Sequence, residues 1–306
     1  MGSPEVWRKD MKMINGYPMV YAFALNWERM EEFQGRPDDI VISTFPKSGT
    51  TWISEIVDMV LNDGDTEKCK RDVITTKIPM LELYEPEQNI SGIEFLKTTP
   101  SPRVIKTHLP TDLLPKSLWE NKCKMIYMAR NAKDVTVSYY HFDLMNNLHP
   151  VPCTWEEYVL KFLDGNVPYG SWFNHVKTWW EKKKDHPLLF LYYEDLKQNP
   201  KEEIKKVASF LGKTLDEKTL DKIIHHTSFE MMKDNPMVNY THLPSSMMDH
   251  SKSPFMRKGT IGDWKNYFTV AQNEIFDAVY EKEMSGTTLK FCTEIQSCCC
   301  KFLSDY

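Results

Sequence analysis

The chain has 306 residues, 41 % of them hydrophobic, and a formal net charge of −5 at pH 7. This size suffices for one large α/β domain or two small ones, and the apolar fraction allows a sizeable core. The negative balance argues against non-specific binding to nucleic acid or to an acidic membrane, so any basic site must be local.

The start of the sequence and its cysteines bear on where the protein works. The first residues, MGSPEVWRKD, contain no apolar h-region, and Val6 does not fit the myristoylation pattern. The longest apolar runs are too short to span a bilayer. The 7 cysteines lack CxxC spacing, which is typical of free thiols in a reducing compartment. We therefore expect a cytosolic protein.

The first strong signal is a strand, a loop and a helix in succession. The continuous apolar run DIVISTF (39–45) is typical of a strand buried on both faces. The loop PKSGT follows, and apolar residues at helical spacing then predict a helix that stops at the turn signal of 62–64. Such a loop favours anion binding, because backbone N–H groups and the helix N-terminus point at the ligand. It is not the common triphosphate loop, since Lys47 precedes Gly49.

Strands and helices continue to alternate along the chain. Further strands are predicted at RVIKTHL (103–109), KMIYMAR (124–130) and LLFLYYE (188–194). Further helices are predicted in AKDVTVSYYHFDLMN, in GSWFNHVKTWWEKKK (170–184) and in PKEEIKKVASFLG. This order predicts a single α/β domain with a central parallel sheet flanked by helices. The segment from about 235 to 265 has no clear period, which is typical of a lid or a binding loop.

Cationic side chains stand at the ends of three predicted strands. They are Lys47, Lys106 with His108, and Arg130. Ligands of open α/β sheets bind beyond the carboxyl ends of the strands, so neighbouring strands would gather these residues in one basic pocket. His108 is a candidate general base, because the ordinary pKa of histidine lies near 7. Taken singly, each residue is better explained as a solvated charge or a structural histidine.

Two other groups of residues were considered as sites. The loop RKGTIGDW (257–264) offers Arg257 and Lys258 to a second phosphate, although alone it would indicate only a solvated turn. No metal site is expected: His225 and His226 would point apart on a helix, and the triple cysteine at 298–300 lacks ligand spacing.

Six motifs together carry a resemblance to a known family. They are TFPKSGTTW, KTHLP, RNAKDVTVSYYHF, YYEDLKQNPKEEI, HTSFEMMKDNP and SPFMRKGTIGDWKNYFTVAQNE. They resemble the cytosolic sulfotransferases over about 37–295 with almost no gaps, and family 1 in particular. The stretches VWRKDMKMINGYPM and TEKCKRDVITTKIPMLE look most like its B members, the thyroid-hormone and phenol type.

The resemblance implies a reaction and a cofactor. The chain would be an aryl sulfotransferase that moves the sulfuryl group of 3′-phosphoadenylyl sulfate (PAPS) to the hydroxyl of small phenolic acceptors, including phenols, thyroid hormones and catechols. The product would be adenosine 3′,5′-bisphosphate (PAP), and no metal would take part. His108 would be the catalytic base of an in-line displacement, and Lys47 and Lys106 would stabilise the developing charge.

The resemblance also implies two sets of binding residues. The set for PAPS is Lys47, Ser48, Gly49, Thr50 and Thr51 at the 5′-phosphate, Arg130, Ser138, Arg257, Lys258 and Gly259 at the 3′-phosphate, and Trp52, Tyr193, Thr227, Ser228, Phe229, Met232, Phe255 and Met256 nearby. The acceptor set is Tyr21, Phe23, Met80, Leu83, Lys106, Thr107, His108, Phe142, Leu148, Tyr169, Tyr240, Met247 and Phe255. Met80 and Leu83 stand where the family often has aromatic residues, which implies a roomier pocket.

The end of the chain gives two further expectations. KNYFTVAQNE matches the family's dimer motif at Lys265, Thr269, Val270 and Glu274, which implies a homodimer. The sulfotransferase domain would span 1–295, and the cysteine-rich tail 296–306 is predicted to be disordered. Acylation of Cys298–Cys300, with weak membrane association, is the alternative for that tail.

Two other functions were weighed against sulfuryl transfer. A nucleotide kinase would need Mg²⁺ and ATP, and the sequence lacks the glycine–lysine order of that loop. A non-catalytic binding module for hydrophobic hormones would keep the apolar pocket but could dispense with His108 and Lys47, and both are present.

Overall fold

A computed structural model describes residues 8–86 and 89–294 of the chain. Its strands are β1 (Lys12–Ile14), β2 (Tyr17–Met19), β3 (Ile40–Thr44), β4 (Tyr84–Glu85), β5 (Ile90–Ser91), β6 (Val104–Thr107), β7 (Lys124–Ala129) and β8 (Leu188–Tyr192). Its helices are α1 (Tyr21–Ala24), α2 (Trp27–Glu31), α3 (Thr50–Leu61), α4 (Thr66–Cys69), α5 (Ile74–Lys77), α6 (Gly92–Thr98), α7 (Lys116–Glu120), α8 (Ala132–Met145), α9 (Trp155–Leu163), α10 (Trp172–Lys182), α11 (Tyr193–Gln198), α12 (Pro200–Phe210), α13 (Glu217–His226), α14 (Phe229–Lys233) and α15 (Val270–Glu283).

The centre of the fold is a four-stranded parallel sheet in the order β6-β3-β7-β8. Within it, Ile40 of β3 pairs with Val104 of β6 on one side and with Lys124 of β7 on the other. Because the four strands run parallel, their carboxyl ends share one edge of the sheet. The predicted single α/β domain with a central parallel sheet flanked by helices is confirmed.

The sheet is buried on both faces, as its continuous apolar strands predicted. Successive residues of β3 enter different cores: Val41 packs in a cluster with Tyr127 and Trp179, and Ile42 packs in a second cluster with Ile56 of α3. Side chains of a strand alternate between the two faces, so one apolar run can serve both cores. The two cores therefore cover the two faces of the sheet.

One strand boundary was predicted wrongly. LLFLYYE (188–194) was expected to be a strand throughout, but β8 ends at Tyr192 and helix α11 begins at Tyr193. Glu194 and Asp195 lie in the first turn of that helix, where carboxylates interact favourably with the helix dipole. The change from strand to helix is not visible in the sequence pattern, because Tyr193 is also buried and continues the apolar run.

Of the segment 235–265 that was predicted to be irregular, residues 235–262 contain neither a helix nor a strand beyond one isolated bridge, between Asn146 and Met248, and a 3₁₀ helix begins at Asp263. This irregular segment crosses the sheet's edge and is held from both sides. Ile74 N–H donates to the Met237 carbonyl (2.7 Å), and Asn147 N–H donates to the Met247 carbonyl (2.8 Å). The segment therefore forms a wall over the sheet's edge.

Some expectations lie outside the described residues. They concern the tail 296–306 and Cys298–Cys300, and they stay predictions. In the described part of the chain, every helix is too short or too polar to cross a bilayer.

Candidate active site

The edge of the sheet where β6, β3 and β7 end opens into a cavity of about 340 Å³. The strand-end cations lie on its wall, because the three strands are neighbours. The predicted residues that line it are Phe23, Lys47, Gly49, Thr50, Thr51, Trp52, Met80, Leu83, Lys106, His108, Arg130, Ser138, Phe142, Leu148, Tyr169, Tyr193, Thr227, Phe229, Met232, Tyr240, Met247, Phe255, Met256, Arg257, Lys258 and Gly259.

Four predicted residues do not line the cavity. Ser48 is fully buried, and its Oγ has no hydrogen-bond partner among the described residues. The Thr107 hydroxyl donates to the carboxylate of Glu82 (2.9 Å). The Ser228 hydroxyl caps helix α14, and the Tyr21 ring lies 4.7 Å from the Lys9 ammonium.

The loop between β3 and α3 is shaped by a glycine. Gly49 has φ +97° and precedes the first residue of α3. A Cβ at this position would lie 2.6 Å from Met128 Cε and 2.9 Å from the Tyr193 ring, so a larger residue would displace both. The backbone can therefore approach a ligand closely at the N-terminus of a 12-residue helix, a natural place for a phosphate.

Lys47 of this loop is partly buried, and its ammonium lies between two aromatic rings. Its Nζ lies 4.3 Å from the ring centres of Phe142 and of Phe255. Burial, reinforced by the guanidinium groups of Arg130 and Arg257, lowers the pKa of Lys47 to about 7. A bound anion would oppose this lowering of the pKa. Lys47 therefore gains its charge most readily when the cavity holds a phosphate or sulfate group.

His108 is oriented by the end of β3. Its Nδ1 lies 2.9 Å from the Thr44 carbonyl oxygen, which can only accept, so Nδ1 carries the proton. Burial lowers the pKa of His108 to about 3, which corrects the value near 7 expected from the sequence. The ring is therefore neutral, with the lone pair on Nε2 available to accept a proton.

A residue that the sequence analysis missed holds the main chain of His108. Glu82 is fully buried, and its Oε1 accepts from the His108 N–H at 2.7 Å. Burial raises the pKa of Glu82 to about 7. The signal in the sequence was a single acidic residue inside the apolar run IPMLEL.

Lys106 is held by the irregular segment. Its Nζ donates to the hydroxyl of Tyr240 (2.9 Å), and the Tyr240 ring packs 4.1 Å from that of Phe255.

Three non-glycine residues of the cavity wall have positive φ: Lys47 (67°), Tyr169 (72°) and Tyr240 (64°). Such backbone angles are costly, and they cluster at functional sites.

One end of the cavity is rich in cationic side chains. Arg130 donates to the carbonyls of Lys47 (3.2 Å) and Thr260 (3.0 Å), and its Nε is buried without a partner among the described residues. Arg257 and Lys258 both pair with Asp263, at 2.6 and 2.9 Å. The Nε of Arg257 is likewise buried and unpaired in the described part of the chain.

A second glycine, Gly259, lets this basic loop pack closely. It has φ +63°, and a Cβ there would lie 2.2 Å from the Phe229 ring. The ring and the loop therefore form one surface, with Trp52 and Tyr193 in edge contact nearby at 5.3 Å.

The remaining wall is largely apolar. Its side chains include Phe23, Met80, Leu83, Leu148 and Met247. One polar side chain among them is His149, whose Nδ1 lies 2.9 Å from Asp143.

The predicted dimer motif surrounds the start of α15. Thr269 caps this helix together with Gln272, and Lys265 pairs with Glu294 at 2.6 Å. Val270 is 77 % exposed, which is unusual for a large apolar residue.

Within residues 8–86 and 89–294, no group of three or more histidine, cysteine, aspartate or glutamate side chains could hold a metal ion. His226 instead contacts Glu55 at 3.0 Å.

Comparisons with known proteins give concordant matches. The sulfotransferase domain family model matches residues 37–288. Sulfotransferase 1B1 of Mus musculus is 77 % identical over 295 residues, which cover 96 % of this chain and 99 % of that protein. Sulfotransferase 1B1 of Canis lupus familiaris is 72 % identical over 288 residues, covering 94 % and 97 %.

Two solved structures have the same fold. Retinol dehydratase in complex with androsterone and the inactive cofactor PAP superposes with a TM-score of 0.82 at 26 % identity, over 91 % of this chain and 90 % of that one. A mouse sulfotransferase complexed with PAP has a TM-score of 0.73 at 32 % identity, over 91 % and 96 %.

Proposed function

The chain belongs to the sulfotransferase family, and from this premise we propose that it moves the sulfuryl group of PAPS to the hydroxyl of small phenolic acceptors. The resemblance to family 1 and its B members is confirmed by the identities of 77 % and 72 %. The chain is therefore a sulfotransferase enzyme, and the kinase and binding-module alternatives lose their basis.

The observation that carries the proposal is a single cavity with two chemically different ends. One end presents Arg130, Arg257 and Lys258, and the other is apolar, while the neutral imidazole of His108 stands on the same wall. A multiply charged nucleotide suits the first end and a phenol suits the second.

The residues present fit a nucleotide with two phosphate groups. The buried, unpaired Nε donors of Arg130 and Arg257 need an acceptor. Gly49 and Gly259 let their two loops pack directly against the rings of Tyr193 and Phe229, which line the same cavity. We infer that residues 47–51 hold the 5′-phosphate, and that Arg130 and Ser138 hold the 3′-phosphate with residues 257–259. Trp52, Tyr193, Thr227, Phe229 and Met232 would surround the adenine.

The catalytic roles follow from the protonation states. PAPS supplies an activated sulfuryl group when bound, and the acceptor hydroxyl needs a base. His108 accepts that proton at Nε2, because Nδ1–H is engaged by the Thr44 carbonyl. Lys47 and Lys106 stabilise negative charge that develops at the transferring group.

Four further expectations belong to this proposal. We propose a homodimer through Lys265, Thr269, Val270 and Glu274, supported by the exposed Val270. Phenols, iodothyronines and catechols are the proposed acceptors, and the cytosol is the proposed compartment. The sulfotransferase domain is proposed to span 1–295.

The experiment that tests the function is transfer of labelled sulfate from PAPS to 1-naphthol in the presence of a chelator. Robust transfer is expected. If naphthol, an iodothyronine and dopamine all remain unlabelled while PAP binds tightly, the proposed phenolic acceptors are wrong.

A further inference from the structure

Glu82 is a buried carboxylate that the mechanism above does not use. It has no measurable exposure, and both of its oxygens accept hydrogen bonds. Oε1 accepts from the His108 N–H (2.7 Å), and Oε2 accepts from the Thr107 hydroxyl (2.9 Å). Burying a carboxylate is costly unless it is bonded in this way, so its presence here calls for an explanation.

His108 is fixed at three points, of which Glu82 provides one. The Nδ1–H of the ring donates to the Thr44 carbonyl (2.9 Å), and the His108 carbonyl faces Nε2 of His175 (3.0 Å). Glu82 binds the third group, the main-chain N–H. Without it that N–H would lose its partner, and the residue could rotate away from the position that its ring and carbonyl contacts define.

Glu82 also lies in the segment that carries the proposed acceptor wall, although its own side chain does not line the cavity. Met80 and Leu83 line the cavity on either side of it in sequence. Their segment is hydrogen-bonded to β6: Leu81 N–H donates to the Lys106 carbonyl (2.9 Å), and Lys106 N–H donates to the Pro79 carbonyl (3.0 Å). The acceptor wall and the catalytic residues of β6 are thus parts of one hydrogen-bonded unit.

We propose that Glu82 is a positioning residue, which holds His108 in the orientation needed to accept the acceptor's proton and ties it to the wall formed by Met80 and Leu83. The proposal rests on the proposed function, in which His108 is the base. It assigns Glu82 no contact with substrate or nucleotide.

A matched control exists at the other end of the same sheet edge. Glu194 is 1 % exposed, and its Oε1 accepts from the Asn131 N–H at 2.8 Å, next to Arg130. Burial raises the pKa of Glu194 to about 7, as it does for Glu82. The two glutamates therefore share residue type, burial and a main-chain partner, but they support different ends of the cavity.

The experiment compares Glu82→Gln, Glu82→Asp and Glu194→Asp with the wild type. Glutamine keeps the length and can accept from the His108 N–H, whereas aspartate keeps the charge but is too short to reach both partners. Glu82→Asp should lower kcat for 1-naphthol about 10²-fold, because small misplacements of a catalytic group have effects of this size. Glu82→Gln should stay within about tenfold of the wild type.

Two further readouts separate positioning from general damage. Calorimetry should give the same Kd for PAP in both Glu82 variants as in the wild type, while Glu194→Asp should raise that Kd. Nitrogen NMR of the His108 ring should show a displaced Nδ1–H signal in Glu82→Asp and a nearly normal one in Glu82→Gln.

If the wild type is active and Glu82→Asp leaves both kcat and the His108 Nδ1–H signal unchanged, the positioning role is wrong while the proposed function stands. Equal losses of kcat in the Asp and Gln variants, with a raised Kd for PAP, would also overturn it. Absence of transfer by the wild type would instead refute the proposed function. Full activity of His108→Ala would refute the role of His108 as base, on which the positioning role depends, and both proteins are measured alongside.

Discussion

The two ends of the cavity are built in different ways. At the proposed nucleotide end, the cationic side chains are held by bonds within the protein: Arg257 and Lys258 pair with Asp263, and Arg130 binds two carbonyls. At the acceptor end, flexible apolar side chains such as Met80 and Met247 form most of the wall. The proposed nucleotide end would therefore recognise its ligand through fixed charged groups, and the proposed acceptor end through the shape of its apolar wall.

This difference explains what each end can recognise. Charged groups held in one geometry select a ligand of defined charge and spacing. Methionine side chains adapt to many outlines, so an apolar wall that contains them accepts a class of ring compounds rather than one. The predictions below test whether the two ends act independently.

The largest expected effect separates chemistry from nucleotide binding. His108→Ala should lower kcat about 10²–10⁴-fold, because it removes the only proposed base. The Kd for PAP, measured by calorimetry, should stay within about twofold of the wild type. Normal turnover in this variant would remove His108 from the mechanism, and a lost PAP site would show that the two ends are coupled.

The next effect concerns the nucleotide end alone. Arg257→Ala should weaken PAP binding about 10–100-fold, which is typical for a lost hydrogen bond between charged groups. Adenosine 5′-phosphate, which lacks the 3′-phosphate, serves as the control ligand and should bind both proteins similarly. If both ligands lose affinity equally, Arg257 does not face the 3′-phosphate.

A smaller effect is expected at the acceptor end. Tyr240→Phe removes the hydroxyl that accepts from Lys106. The KM for 1-naphthol should change about 3–10-fold, the usual value of one hydrogen bond, while the Kd for PAP stays constant. A changed Kd for PAP with an unchanged KM would place Tyr240 with the nucleotide instead.

The smallest expected effect is the uptake, on average, of a fraction of a proton when PAP binds. Lys47 has a pKa lowered to about 7 in the free enzyme, and bound phosphate raises it. Above about pH 7 the free amine is largely neutral, so binding of PAP must bring a proton from solvent. Calorimetry in two buffers of different ionisation enthalpy measures this uptake.

The control for this proton uptake is Lys47→Arg, since arginine stays charged at every pH used. Its PAP complex should form without the uptake attributed to Lys47. The same uptake in both proteins would show that another group takes the proton.

The sheet and the anion loop were predictable because they depend on local sequence. Continuous apolar runs, a glycine before a helix and cations at strand ends are all visible within a few residues. The contacts that complete the site are not local: Tyr240 meets Lys106 across 134 positions, and Glu82 meets His108 across 26. The pKa of His108 was mispredicted for the same reason, since burial is a property of the whole fold.

The three wall residues with positive φ also divide the cavity into fixed and variable positions for enzyme engineering. At Tyr169 and Tyr240 the backbone is in the left-handed conformation, which costs a non-glycine residue about 1–3 kcal/mol. Met80 and Leu83 carry no such constraint. A library aimed at new acceptors should therefore randomise 80 and 83 freely and restrict 169 and 240 to the native tyrosine, glycine, asparagine and aspartate, so that fewer clones are lost to misfolding.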